Sequence, residues 1–299
     1  MTESSKAPSQ RARLAPAGLI FLAITSIGWG LNWPVTKFLI GEVPPLTLRG
    51  GTGAAGAALL ALLALVRGES LKVPAEVWPR LLLAALLNVT AWMVLVGLAL
   101  LWLPASEAAL IAYTMPVWAA LIAWPVLGER PTLARTIALL MALTGLAVIM
   151  GGSGISANQA KLPGTILALC GAIGFAFGTV LSKKLPIKLS PLPAAAWQVG
   201  LGCLPVAIIG PIIEHPQWNA VTPLGWVLLI YAVVVQFCIC FVSWFAALAR
   251  LPASVAAIGT MAVPVIGVVA SAVTLHEPLG VVQIAALVFT LAGVALAIR

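Results

Sequence analysis

Thr25, Trp29, Asn32 and Thr36 recur at i, i+4, i+7 and i+11, so on a helix they form one stripe, with Trp33 beside it. Indole N–H groups, hydroxyls and an amide are binding groups. They exchange hydrogen bonds and offer ring faces, but they do not titrate near neutral pH. Gly28 and Gly30 in the same stretch, GWGLNWPVTK, let a neighbouring backbone approach closely. Pro34 removes a backbone donor, and inside a membrane the carbonyl it frees needs a partner or a water-filled cavity. Such a stripe faces protein or a cavity rather than lipid. Two readings stand for Trp29 and Asn32: cavity lining, or helix packing with an interfacial tryptophan. Lys37, near the end of the run, is expected to snorkel to the interface.

Two more pairs have the same character. Asn88 and Trp92 are four apart, and Gln236 and Ser243 are seven apart, so each pair shares a helix face. A bare amide in hydrocarbon is costly. Asn88 and Gln236 therefore serve either a polar ligand or an interhelical hydrogen bond, which contributes only about 1 kcal/mol. A further apolar run offers Glu107, Tyr113, Pro116 and Trp118, and another offers Ser254, Thr260 and Pro264. Pro34, Pro116 and Pro264 are candidate hinges, since each interrupts a helical ladder. Glu107 is the candidate proton or cation site. Its plainer reading is a solvated first-turn acid favoured by the helix dipole. Glu129 in GERPT and Glu277 in LHEPL read as caps or loop anchors.

Little here suits catalysis. The chain has no aspartate, its eight acids are all glutamate, and its two histidines, His215 and His276, fall in connections. No HExxH, GxSxG or CxxC is present. The four cysteines lie in apolar runs, and Cys238 and Cys240, two apart, point to nearly opposite helix faces. No metal site, disulfide, cofactor or enzymatic activity is expected. The small-residue stretches GTGAAGAALLA and GAIGFAFG are packing signatures, because no strand precedes either to make a phosphate cradle.

The elements that must hold these groups follow from composition. Of 299 residues 62% are hydrophobic and 8% charged, with a mean hydropathy of +1.12. A soluble domain carries roughly 25% charged residues. Lipid must therefore be the solvent for most of the chain. A net charge of +8 does not argue for nucleic acid, because the basic residues sit in the short gaps between apolar runs. No convincing cleavage site follows the first apolar run, so it reads as a retained span. Spans are expected at about 15–38, 45–66, 79–101, 104–127, 132–150, 163–183, 192–213, 223–249, 253–274 and 280–298, separated by Pro-, Gly- and charge-rich breaks. With the N-terminus inside, only Lys37, Arg49 and Lys161 of the sixteen Lys and Arg residues fall outside. That bias predicts cytoplasmic termini.

The chain also repeats itself. A shift of 148 residues lays LPAS at 103–106 on LPAS at 251–254, Pro116 on Pro264, Glu129 on Glu277 and Asn88 on Gln236. A shift of 146 lays Gly28 on Gly174, Trp29 on Phe175 and Lys37 on Lys183. The expected fold is all-α and integral to the membrane, with ten helices in two five-helix repeats, 1–152 and 153–299. An odd number of spans per repeat inverts the second relative to the first, which places a substrate site near mid-membrane.

The opening WGLNWPVTK, followed by Pro44, Pro45 and Arg49, resembles that of EamA-type members of the drug/metabolite transporter superfamily. The LPAS…P…GE…G block, present twice, resembles the end of each EamA repeat. The second half departs from the pattern, with GFAFGTVLSKK where a tighter copy would repeat Trp and Asn. Within the superfamily the chain is most similar to bacterial YddG-type exporters of aromatic and other amino acids. The resemblance implies a monomeric ten-helix basket in the bacterial inner membrane and a central cavity between the halves. The solute would be an amino acid or similar metabolite moved out of the cytoplasm by alternating access. Its alternatives are an exporter of another metabolite or drug, and a membrane scaffold without transport. An aromatic lining of Trp29, Trp92, Tyr113, Trp118 and Phe175 agrees with a flat or apolar solute, and Asn88 and Gln236 with its zwitterionic end.

Overall fold

The computed structural model describes residues 16–128, 155–251 and 259–298, with Val255 and single positions between 133 and 148. Its helices are α1 (Pro16–Ile40), α2 (Pro45–Val66), α3 (Ala75–Ala99), α4 (Ala105–Ala112), α5 (Met115–Leu127), α6 (Ile155–Lys184), α7 (Pro191–Glu214), α8 (Pro223–Leu248), α9 (Ala262–Leu275) and α10 (Val281–Ile298). Among the described residues there is no strand. Seven helical stretches there are long and apolar enough to cross a membrane, one of them being α4 and α5 taken together. α9 and the first part of α10 are shorter and apolar. Most of the expected fifth span lies outside the described residues, as do Glu129 and Ser254. α6 starts earlier than expected, because Pro163 lies within it rather than marking its start.

Proline sets many of the helix starts. Pro45, Pro191 and Pro223 stand in the first turns of α2, α7 and α8, where a missing N–H leaves no bond unmade. Thr222 caps α8, its Oγ1 accepting the Gly225 N–H at 3.0 Å. Three glutamates at the ends of other helices complete such starts. Glu214, closing α7, accepts from the backbone N–H groups of Leu46 and Thr47 at 2.9 and 2.7 Å. Glu277, just past α9, accepts from those of Ala105 and Ser106 at 2.6 and 2.9 Å. Glu42, just past α1, accepts from the Thr222 N–H at 3.1 Å and its hydroxyl at 2.7 Å. Each carboxylate thus satisfies donors that a helix leaves open at its N-terminus.

Helix directions can be read from contacts. α2 and α7 are antiparallel: Thr47 lies by Gly210, Gly50 by Ala207 and Gly53 by Cys203. A Cβ on Gly210 would fall 2.7 Å from the Thr47 nitrogen, so this seam is backbone against backbone. α1 runs antiparallel to α8, pairing Thr25 with Cys240, Trp29 with Gln236 and Glu42 with Thr222. It runs parallel to α9, with Ser26 by Gly259, Gly30 by Ile266 and Trp33 by Gly267. α3 and α6 are antiparallel, with Ala99 by Gly164 and Asn88 by Ser182.

Two helices widen at equivalent places. Residues 85–90 of α3 and 232–239 of α8 form π-turns, and a shift of 148 lays the first inside the second. Wide turns of this kind frequently mark functional sites. The expected fourth span breaks at Tyr113 and Thr114 into α4 and α5. Around the outside, Ile20, Leu62, Ile208, Ile212, Val227 and Val273 are exposed, as a lipid-facing belt requires. At one end Trp33, Leu100, Leu103, Leu110 and Ile111 are packed together and buried.

Candidate functional site

Between α1, α2, α3, α6, α7 and α8 lies a cavity of about 640 Å³, in the range of small-molecule sites. α1 turns Trp29, Asn32, Trp33 and Thr36 into it, and α3 turns Asn88 and Trp92, with Leu100 just past its end. From the other side come Phe175 and Ser182 of α6, Gln198 of α7, and Gln236, Phe237, Phe241 and Trp244 of α8. One end is closed by Trp33, Tyr113 and Leu100. At the other the lining includes Ile187 and Leu189, in the connection between α6 and α7.

Aromatic rings form two walls. Trp29 meets Phe241 edge-on and Trp244 at a tilt, both at 5.8 Å between centroids. Trp92 meets Phe175 at 5.2 Å, and Trp33 meets Tyr113 at 6.4 Å. The polar groups gather at the wide turns. The Trp29 indole donates to the Gln236 carbonyl at 3.3 Å. Asn88 donates through Nδ2 to the Ser182 hydroxyl at 3.3 Å, while its Oδ1 is buried with no partner. Asn32 Oδ1 is also buried and unpartnered.

Of the residues singled out from sequence, Trp29, Asn32, Asn88, Trp92, Tyr113, Phe175 and Gln236 share this cavity. Trp118 and Ser243 do not line it. The break at Tyr113 and Thr114 uncouples α5 from α4, so a helical count carried through it misplaces Trp118. The Trp118 indole instead donates to Thr114 Oγ1 at 3.0 Å. Ser243 follows the π-turn, whose surplus residue rotates everything beyond it by about 100° relative to an α-helical count. It is buried, and Phe241 and Trp244 take the lining positions.

Glu107 also lies apart from the lining. It is 2% exposed, and its Oε1 accepts from Lys161 at 2.8 Å. Lys37 is half-buried, and its ammonium donates to the carbonyls of Leu100 and Leu103, the latter at 2.9 Å, closing the end of α3. Of the candidate hinges, Pro34 sits within the continuous α1, and the Gly30 carbonyl it frees faces Gly267 of α9. Pro116 opens α5 directly after the break, and Pro264 lies in the first turn of α9.

Arg49 lines the cavity as well and was absent from the sequence-derived set. The available signal was an arginine in PLTLRGGTGAAG with no acid within helical reach. Counting it only as an outer-end cation hid it.

Residues 16–151 and 162–299 each match the EamA-like transporter family. The uncharacterized transporter YvbV of Bacillus subtilis is 32% identical over 280 residues, 93% of this chain and 90% of that protein. A probable amino-acid metabolite efflux pump of Salmonella typhimurium is 27% identical, over 91% of this chain and 92% of that one. A solved crystal structure, 21% identical, aligns over 94% of this chain and 96% of that one with a TM-score of 0.65.

Proposed function

Because the chain belongs to the EamA-like transporter family, we propose that it exports neutral amino acids, aromatic ones among them, by alternating access through the central cavity. The observation that carries this reading is the cavity itself. Ring faces and amides converge on it from α1–α3 and from α6–α8, as a solute with a flat side chain and a zwitterionic end requires. The efflux-pump name of the Salmonella relative supports the same class of cargo.

Residues 1–152 and 153–299 are read as inverted repeats. Supporting this, α2 and its repeat partner α7 run antiparallel. So do α1 and α8, the latter being the partner of α3. The matched π-turns give each half one widened helix at the cavity. The membrane is read as the bacterial inner membrane, with cytoplasmic termini and a monomeric protein. Lys183, Lys184 and Lys188 then lie on the cytoplasmic side, beside the connection that the cavity reaches. The conformation is accordingly inward-open, with Trp33, Tyr113 and Leu100 closing the outer end. Facilitated diffusion is the proposed energetics, since Glu107 is tied to Lys161 away from the cavity.

In proteoliposomes, labelled Phe, Trp, Met and Thr are expected to cross only with the protein present, saturably and with counterflow. Flux equal to that of empty liposomes for every amino acid would sink the reading.

A further inference from the structure

We propose that Arg49 anchors a substrate carboxylate at the closed end of the cavity, which makes a free carboxylate a condition of binding; this rests on the amino-acid reading above. Arg49 is 5% exposed, lines the cavity, and has a buried Nε with no hydrogen-bond partner. A guanidinium stays protonated at any working pH. A lone buried cation at membrane depth is costly unless an anion meets it.

No described glutamate fills that role. Glu42, Glu214 and Glu277 hold helix starts, and Glu107 holds Lys161. Glu69 and Glu76 lie beyond the far end of α2. The neighbouring helix leaves room for the side chain: a Cβ on Gly97 would stand 2.9 Å from Arg49 Cγ. The planar fork of arginine matches the two oxygens of a carboxylate.

The complementary half of the ligand is also provided for. Among the described residues, five buried side-chain polar atoms lack a partner, and three of them belong to cavity residues: Arg49 Nε, Asn32 Oδ1 and Asn88 Oδ1. Arg49 Nε and Asn32 Oδ1 offer one cationic donor and one acceptor, as a carboxylate and an ammonium carried by one molecule need, whereas Asn88 Oδ1 lies against Gly178, nine helical residues from the Gly97 that Arg49 touches. The side chain is left to Trp29, Trp92 and Phe175.

The test uses the full-length protein in nanodiscs, with binding followed by calorimetry. Four probes are compared: L-phenylalanine against L-phenylalaninamide, and phenylacetate against phenylacetamide. The wild type is expected to bind each carboxylate at least about tenfold tighter than its amide. Arg49→Gln is expected to lose about tenfold to a hundredfold for the carboxylates and nothing for the amides, with Arg49→Lys between. A merely structural arginine would weaken all four probes alike. Equal wild-type affinity within each pair overturns the proposal without any variant. So does a folded Arg49→Gln that keeps the wild-type preference. If amino acids fail to cross proteoliposomes but phenylacetate binding still depends on Arg49, the export reading falls and the anchor stands. If phenylalanine crosses and Arg49→Gln discriminates normally, the anchor falls and export stands.

Discussion

Single side chains divide here by whether they reach the cavity. Trp92 does, its ring tilted against that of Phe175, so Trp92→Ala is expected to raise the half-saturating concentration for phenylalanine flux about tenfold, the scale of one lost aromatic contact. Trp118→Ala removes a ring of equal size that touches no part of the cavity, and flux is expected to stay within about twofold. Uptake kinetics of the two variants in proteoliposomes check both. Part of the lining was legible in the sequence, because amides and clustered indoles stand out in an apolar chain, whereas Gln198, Phe241 and Trp244 were not singled out. Arg49 was not, since one charge near a span end looks like any other interfacial cation. All three cations that break the inside bias have posts within the protein. Lys37 closes α3, Lys161 meets Glu107, and Arg49 lines the cavity.

At the scale of helices, the α2–α7 seam depends on missing side chains. A Cβ on Gly50 would run into the backbone of Val206 and Ala207, which cannot swing aside. Gly50→Ala is therefore expected to destabilise the protein by about 1–3 kcal/mol, as overpacking does. Gly51, one position away, has nothing within 4 Å, and Gly51→Ala is expected to be neutral or stabilising by up to about 1 kcal/mol. Thermal melts of the detergent-solubilised variants separate the two outcomes. The spans were readable from hydropathy and from proline at their starts. The π-turns were not, because 85–90 and 232–239 contain no glycine or proline and no breaker announces the surplus residue. That hidden residue is why a regular helical count put Ser243 on the wrong face.

Over the whole molecule, the glutamates that cap foreign helices gather at the closed end. Glu214 binds the start of α2 and Glu277 that of α4, each joining a helix of the first five spans to one of the last five. Glu214→Gln with Glu277→Gln replaces charged acceptors by neutral amides, which weakens hydrogen bonds that contribute about 1.5–3 kcal/mol each. The outer end is then expected to open more often. A cysteine placed at Leu100, in a background without the native cysteines, should react about tenfold faster with an impermeant thiol reagent added outside. An unchanged rate would mean these caps do not hold the end shut. The antiparallel seam has a wider consequence. α2 is braced by α7, α1 lies against α8 and α9, and α3 lies against α6. Each stretch of the chain thus finishes the other's surface, like two interlaced hands. On the alternating-access reading, the bodies that swing are then mixed sets of helices drawn from both stretches, rather than the front and back of the polypeptide parting like a clamshell.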